Sequence, residues 1–300
     1  MFEKRTDLAL EAREMHGEDS GIIVREENKD GFNVVYAEVL RGEGERLSGK
    51  SAGHYITVEI GKDWMHERTA FEAASYLLAS ELGRLLPDEN GCVLVVGLGN
   101  IEITPDSLGP RVVRELLVTR HIEGLDPSLF ESAGFASVAA VSPGVLAQTG
   151  IESAEIVESV CRAVKPRCVI LIDSLASRRL NRLASTVQMS DVGLSPGSGV
   201  FNRRAALDKS TLGVPVISLG VPMVVDAATL AYDLLEEQVG NASDEFVSVI
   251  ERVLAGNGRE MFVTPKENDV IAKQTAKLLS SALNVALHQM EINEISLYLN

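Results

Sequence analysis

The sequence predicts an α/β protein with a mostly parallel sheet, helices on both faces of that sheet and a β-hairpin extension at the N-terminus. Three observations predict it. From residue 92 onward, short runs of continuous apolar residues alternate with stretches whose apolar positions recur every three or four residues. That is the signature of strands buried on both faces and joined by helices. The punctuation between them is helical in type: Pro110, the pair Thr149 and Glu152, and Thr264-Pro265 with Glu267 stand where helices should begin. The first 60 residues lack this alternation and carry strand patterns instead. The expected organisation is a single domain over 1–300, with a β-rich extension at 1–60 and an α/β core at 61–300.

The extension contributes GFNVVYAEVL (31–40) and HYITVEI (54–60), two strands joined by a Gly-rich turn. Residues 65–86 follow with Phe71, Ala74, Leu78, Leu82 and Leu85 on one stripe, an amphipathic helix stopped by Pro87. CVLVVGL (92–98) opens the core as a buried strand, and PRVVRELLVTRHI (110–122) has helical spacing. SVAAVSPG (137–144) is a strand. Residues 149–164 form a helix with a capping box, closed before Pro166. CVILID (168–173) is a strand, and SLASRRLNRL (174–183) reads as a short helix that Asp173 could cap. STVQMSD (185–191) and VPVISLG (214–220) are two further strands. VPMVVDAATLAYDLLEE (221–237) reads as a helix, and the last helix starts at Thr264.

Composition excludes several classes. The 300 residues are 45% hydrophobic and 24% charged, as in ordinary globular domains. No apolar run is long enough for a membrane span, and the charged N-terminus does not read as a secretory signal, so a cytoplasmic protein is expected. A formal net charge of −15 argues against direct nucleic-acid binding. Cys92, Cys161 and Cys168 fit neither a disulfide framework nor a zinc site and read as core thiols. His16, His54, His66, His121 and His288 show no metal-binding spacing.

Three motifs match patterns whose mechanics they do not meet. Gly44-x4-Gly49-Lys50-Ser51 is a literal Walker A sequence. A P-loop, however, needs a helix after the loop to receive the phosphates, and a strand pattern follows here. GLGNIE (97–102) begins like a dinucleotide fingerprint but has Glu102 where packing wants a glycine and the pyrophosphate wants no negative charge. GLSPG (193–197) resembles a nucleophile elbow around Ser195, yet Pro196 lacks the N–H that an oxyanion hole requires.

The carboxylates at strand ends remain. Asp106 lies in the loop after the first parallel strand, Asp173 ends CVILID, and Asp226 is a third candidate within VPMVVDAATL. Catalytic groups of open α/β sheets gather beyond the carboxyl ends of the strands. Two nearby carboxylates cannot both ionise easily, so one can activate water while the other donates a proton. Each also has a plain structural reading, Asp106 and Asp226 as acids in a helix's first turn and Asp173 as a helix cap.

At this point the chain resembles a known family. RTDLALEA (5–12), LSGK (47–50), VVGLGN and TPDSLGP within 95–110, LLVTRH (116–121), SPGVLAQTGIE (142–152), LIDSLASR (171–178), SDVGLSPGSGVFN (190–202), TLGVPVISLGVPMVVDA (211–227) and VTPKEND (263–269) are similar to the germination proteases, which degrade small acid-soluble spore proteins. The resemblance implies a fold like that of the hydrogenase-maturing endopeptidases, a homotetramer, an aspartic-type mechanism that requires no cofactor, and a place in the forespore or spore core. It puts the catalytic pair on TPD-x-LGP and ID-x-LA, which are Asp106 and Asp173 here. It implies cleavage after an acidic residue, for which Arg178, Arg179, Arg182, Arg203 and Arg204 are candidate partners, with Arg178, Arg179, Arg203 and Arg204 as the substrate-binding set. Family members are usually zymogens, whereas only four residues precede Arg5, and the stretch between Glu236 and Val263 is shorter than in familiar members. The alternatives are a nucleotide-binding protein using Lys50 and a catalytically silent scaffold of the same fold.

Overall fold

Four of the apolar runs form the parallel half of one sheet in the computed structural model, which describes residues 5–17, 20–194, 206–239, 249, 252 and 261–299. The strands are β1 (Ile22–Lys29), β2 (Phe32–Val39), β3 (Gly53–Glu59), β4 (Val93–Gly97), β5 (Val138–Val141), β6 (Cys168–Ser177), β7 (Thr186–Ser190), β8 (Val216–Asp226) and β9 (Phe262–Val263). Their order is β1-β2-β3-β7-β8-β6-β4-β5, with β9 paired to β8. The pairings β8–β6, β6–β4 and β4–β5 are parallel, and the other five are antiparallel. The expected mostly parallel sheet is therefore corrected to a mixed one. Its antiparallel half begins where β7 meets β8.

Helices cover both faces. Val93, Val95, Ile170, Ile172, Ile217 and Leu219 pack on one face against α3 (Arg68–Gly83), α4 (Leu108–Arg114) and the long α11 (Asn268–His288). The alternate residues Leu94, Val96, Val169, Leu171 and Val216 pack on the other face against α8 (Ser153–Val164). This two-sided burial is why the parallel strands read as unbroken apolar runs. Each fully buried Leu or Ile adds about 1.5–3 kcal/mol. Further along the second face, α1 (Ala9–His16) covers Ile22, Ala37, Val39 and Tyr55. Between the α8 cluster and the α1 cluster this face turns polar, with Gln188, Ser190 and Ser218 on neighbouring strands and a 2.6 Å contact between the two serine hydroxyls.

Several sequence expectations change. The hairpin of the extension is β1–β2, turned by Asp30 and Gly31 at φ 51° and 88°, and β2 and β3 are joined through α2 (Glu43–Ser48) rather than a turn. VPMVVD is strand, and α10 (Ala227–Val239) begins only after it, because β6 and β9 hold that stretch in the sheet. Pro222 sits at the β-bulge of the β6–β8 ladder, where a missing N–H is tolerated. The 110–122 helix ends early: Leu117 and Thr119 are held by Asn284 and by β5, and α5 (Arg120–Leu125) and α6 (Pro127–Ser132) follow. Thr149 closes a short helix, α7 (Leu146–Thr149), and α8 starts at Ser153. α9 (Lys209–Leu212) is capped by Asp208. Glu267, not Thr264, precedes α11. No helix of the described residues is long and apolar enough to cross a membrane.

Candidate active site

Asp106 and Asp173 line one cavity of about 650 Å³, above the junction of the parallel and antiparallel halves of the sheet. The glycine loop makes this possible. A Cβ on Gly97 would lie 2.2 Å from the Gly109 carbonyl oxygen, and one on Gly109 would lie 2.3 Å from that of Leu98 and 2.6 Å from that of Ile172. The start of α4 therefore rests directly on the ends of β4 and β6, an approach that side chains would forbid. Gly99, at φ +111°, turns the chain so that the Asn100 N–H donates to Asp106 Oδ2 at 2.7 Å. Asp106 ends a single 3-10 turn, Thr104–Asp106, and its carboxylate faces back onto the glycine loop instead of capping α4. Thr104 ties that turn to α11 through Asp269 at 2.6 Å, and Gln148 of α7 holds the Asn100 side chain at 2.7 Å.

Asp173 stands in mid-strand. β6 runs on to Ser177, so the expected helix at 174–183 shrinks to a 3-10 turn at Leu180–Arg182, and Asp173 has no helix to cap. On its face of the sheet it follows the fully buried Val169 and Leu171, so a carboxylate interrupts an apolar row. Its Oδ1 accepts the Ser174 N–H at 2.8 Å. Asp226 belongs elsewhere: its Oδ1 accepts the Thr229 N–H at 2.7 Å and the Thr229 hydroxyl at 2.9 Å, the geometry of a cap on α10.

Two further charged residues line the cavity, Asp7 and Lys50. Asp7 docks the N-terminal segment on β6, with its N–H on the Ala176 carbonyl at 2.8 Å and its Oδ2 accepting the Ala176 N–H at 2.7 Å. Lys50 donates from Nζ to the Thr6 carbonyl at 2.7 Å. Burial pulls its pKa below the usual lysine range, against the opposing charges of Asp7 and Glu11. The Walker A pattern dissolves in this geometry. Gly44 lies inside α2, Gly49 ends that helix in the left-handed conformation, and β3 follows. No helix N-terminus follows Lys50 to receive a phosphate. In the sequence Asp7 is marked only by its place in the RTDLALEA block, and Lys50 by the LSGK block and by a Walker A pattern that points to a different chemistry.

The arginines are distributed differently from the aspartates. Arg178 makes a forked pair with Asp233 at 2.6 and 2.9 Å. Arg182 reaches Glu11 at 3.1 Å and Glu14 at 2.5 Å, and Arg179 lies 3.5 Å from Glu14. None of the three lines the cavity. Arg203, Arg204 and Ser195 lie outside the described residues. All three cysteines are free, and burial pushes the Cys168 thiol up to about 11. Among the described residues no group of three or more His, Cys, Asp or Glu is placed to hold a metal ion.

Comparison with known proteins adds to this geometry. Residues 3–239 match the family model described as germination protease. The chain is 44% identical over 320 residues to the germination protease of Caldanaerobacter subterraneus subsp. tengcongensis, covering 97% of each chain. It is 40% identical over 324 residues to that of Clostridium acetobutylicum, covering 99% of each. With that of Bacillus licheniformis the identity is 38% over 346 residues, covering 95% of this chain and 93% of the other.

Proposed function

This chain belongs to the germination protease family, and from that premise we propose that it is an aspartic-type endopeptidase whose working pair is Asp106 and Asp173. The observation that carries the reading is that a 3-10 turn and a mid-strand position, distant in sequence, deliver these two carboxylates to one cavity, and that Asp173 there breaks an apolar row. In the working state one carboxylate is charged and its partner protonated. The charged group takes a proton from a water molecule, the water oxygen attacks the scissile carbonyl, and the partner protonates the carbonyl oxygen. Collapse of the tetrahedral species breaks the C–N bond, and the proton taken from water passes to the leaving amine.

The substrates are small acid-soluble spore proteins, cut after an acidic residue at the start of their degradation in germination. The enzyme works in the spore core as a homotetramer with the fold of the hydrogenase-maturing endopeptidases. Arg178, Arg179, Arg203 and Arg204 contact substrate carboxylates; Arg178 and Arg179, which do not line the cavity, exchange Asp233 and Glu14 for them. Incubation with a purified spore protein, with the first cuts mapped by mass spectrometry, tests the reading. Early fragments ending in Glu or Asp are expected. Intact substrate after prolonged incubation, or cuts scattered without regard to acidic residues, would overturn it.

A further inference from the structure

Lys50 is the one cation among the described residues that line the cavity. An ammonium group carries three donors, and Lys50 spends one of them on a neutral acceptor, the Thr6 carbonyl. Among the described residues it has no ion-pair partner. The two acids whose charges act on it are bound elsewhere. Asp7 holds the Ala176 N–H. Glu11, fully buried, takes the Arg178 N–H at 2.6 Å, the Arg179 N–H at 3.1 Å and the Arg182 guanidinium. A partly buried ammonium with unused donors costs stability, and its position in the cavity gives that cost a purpose. The cavity wall beside Asp106 has the opposite character, with Ile103 53% exposed and Val145 and Ala147 beside it.

We propose that Lys50 is the residue that reads the acidic side chain before the cleaved bond, by a charge-assisted hydrogen bond from its ammonium to the substrate carboxylate. The inference rests on the endopeptidase reading above and names the specificity determinant of that site. A glutamate entering the cavity meets Asp7 and the charged member of the Asp106–Asp173 pair, which repel it. The unused donors of Lys50 are the only cationic ones in the described lining that can offset that repulsion. Glutamine in the same place meets less repulsion but draws only a weak neutral hydrogen bond, so the Glu-over-Gln preference isolates the charge on Lys50.

The test uses the full chain and two peptides that differ only by Glu or Gln before the scissile bond. The parent enzyme is expected to favour the Glu peptide by about 10- to 100-fold in kcat/KM, the range for a hydrogen bond to a charged group. In Lys50→Met that ratio falls to near one or inverts, and in Lys50→Arg most of it is restored. Lys50→Gln serves as a second neutral variant should Lys50→Met prove unfolded by circular dichroism. Loosening of the Thr6 contact would lower both peptides alike and leave the ratio standing, which overturns the proposal. A parent enzyme that cuts both peptides equally also overturns it. Failure of the parent to cut either peptide at an acidic or amide site defeats the endopeptidase reading itself, a separate outcome.

Discussion

Gly99→Ala should disable the enzyme while leaving most of its fold intact. Gly99 sits at φ +111°, outside the regions open to alanine, and holding an L-residue there costs about 1–3 kcal/mol. The steric term is larger. The new methyl would lie 2.0 Å from the Asp106 carbonyl oxygen and 3.0 Å from Asp106 Oδ1, against an ordinary contact of 3.4 Å or more. The carbonyl must therefore retreat by about 1.4 Å, and it carries the carboxylate with it. Displacing a reacting group by about 1 Å costs on the order of 100-fold in rate. The assay pairs cleavage of a spore protein with urea unfolding followed by circular dichroism. A loss of kcat/KM of about 100-fold or more is expected with a cooperative unfolding transition retained. Gly83→Ala is the control. It lies at the end of α3 with nothing within 4 Å of its added methyl, so activity should match the parent and stability should hold or rise by up to about 1 kcal/mol. Gly99→Ala at parental kcat/KM would refute the claim that this glycine aims Asp106.

Other consequences follow from the same contacts. Glu11→Ala removes the acceptor of two backbone N–H groups and a partner of the buried Arg182, and should cost about 3–5 kcal/mol by chemical denaturation. Asp226→Ala removes only the cap on α10, so about 0.5–2 kcal/mol of stability should go while spore-protein cleavage persists. His288, buried against Leu117 and Ala136, is held below its ordinary pKa by burial, and its Nδ1 accepts the Ala136 N–H. The unfolded chain takes up this proton first, so its stabilisation is complete above about 6.5 and is lost as pH falls from there through the depressed folded value. Denaturation midpoints should drop on that acid side in the parent and less so in His288→Gln. An equal drop in both would exclude His288 as the cause.

How much was legible depended on which contacts are local. The parallel strands were readable because burial on both faces leaves an unbroken apolar run, as in CVLVVGL and CVILID. β1 escapes a sequence reading because an edge strand carrying Arg25, Glu26 and Glu27 in succession has no apolar signature, although the Asp30-Gly31 pair is a hairpin signal. VPMVVD was mistaken for helix since a short apolar run does not reveal its own period, and pairing with β6 and β9 decided it. Of the site, Asp106 and Asp173 could be picked out by their place after strands. Lys50 and Asp7 could not, because their approach depends on the N-terminal segment docking across β6 and on the β3–β7 pairing, both set by residues far away in the chain.

The most direct test of the account is the cleavage rate of a purified small acid-soluble spore protein by the parent, Asp106→Asn and Asp173→Asn, each checked for fold by circular dichroism and run with and without a chelator. The account predicts that both variants stay folded and lose turnover, and that the chelator changes nothing in the parent. Near-parental turnover in either variant would contradict it, and so would a parent silenced by the chelator.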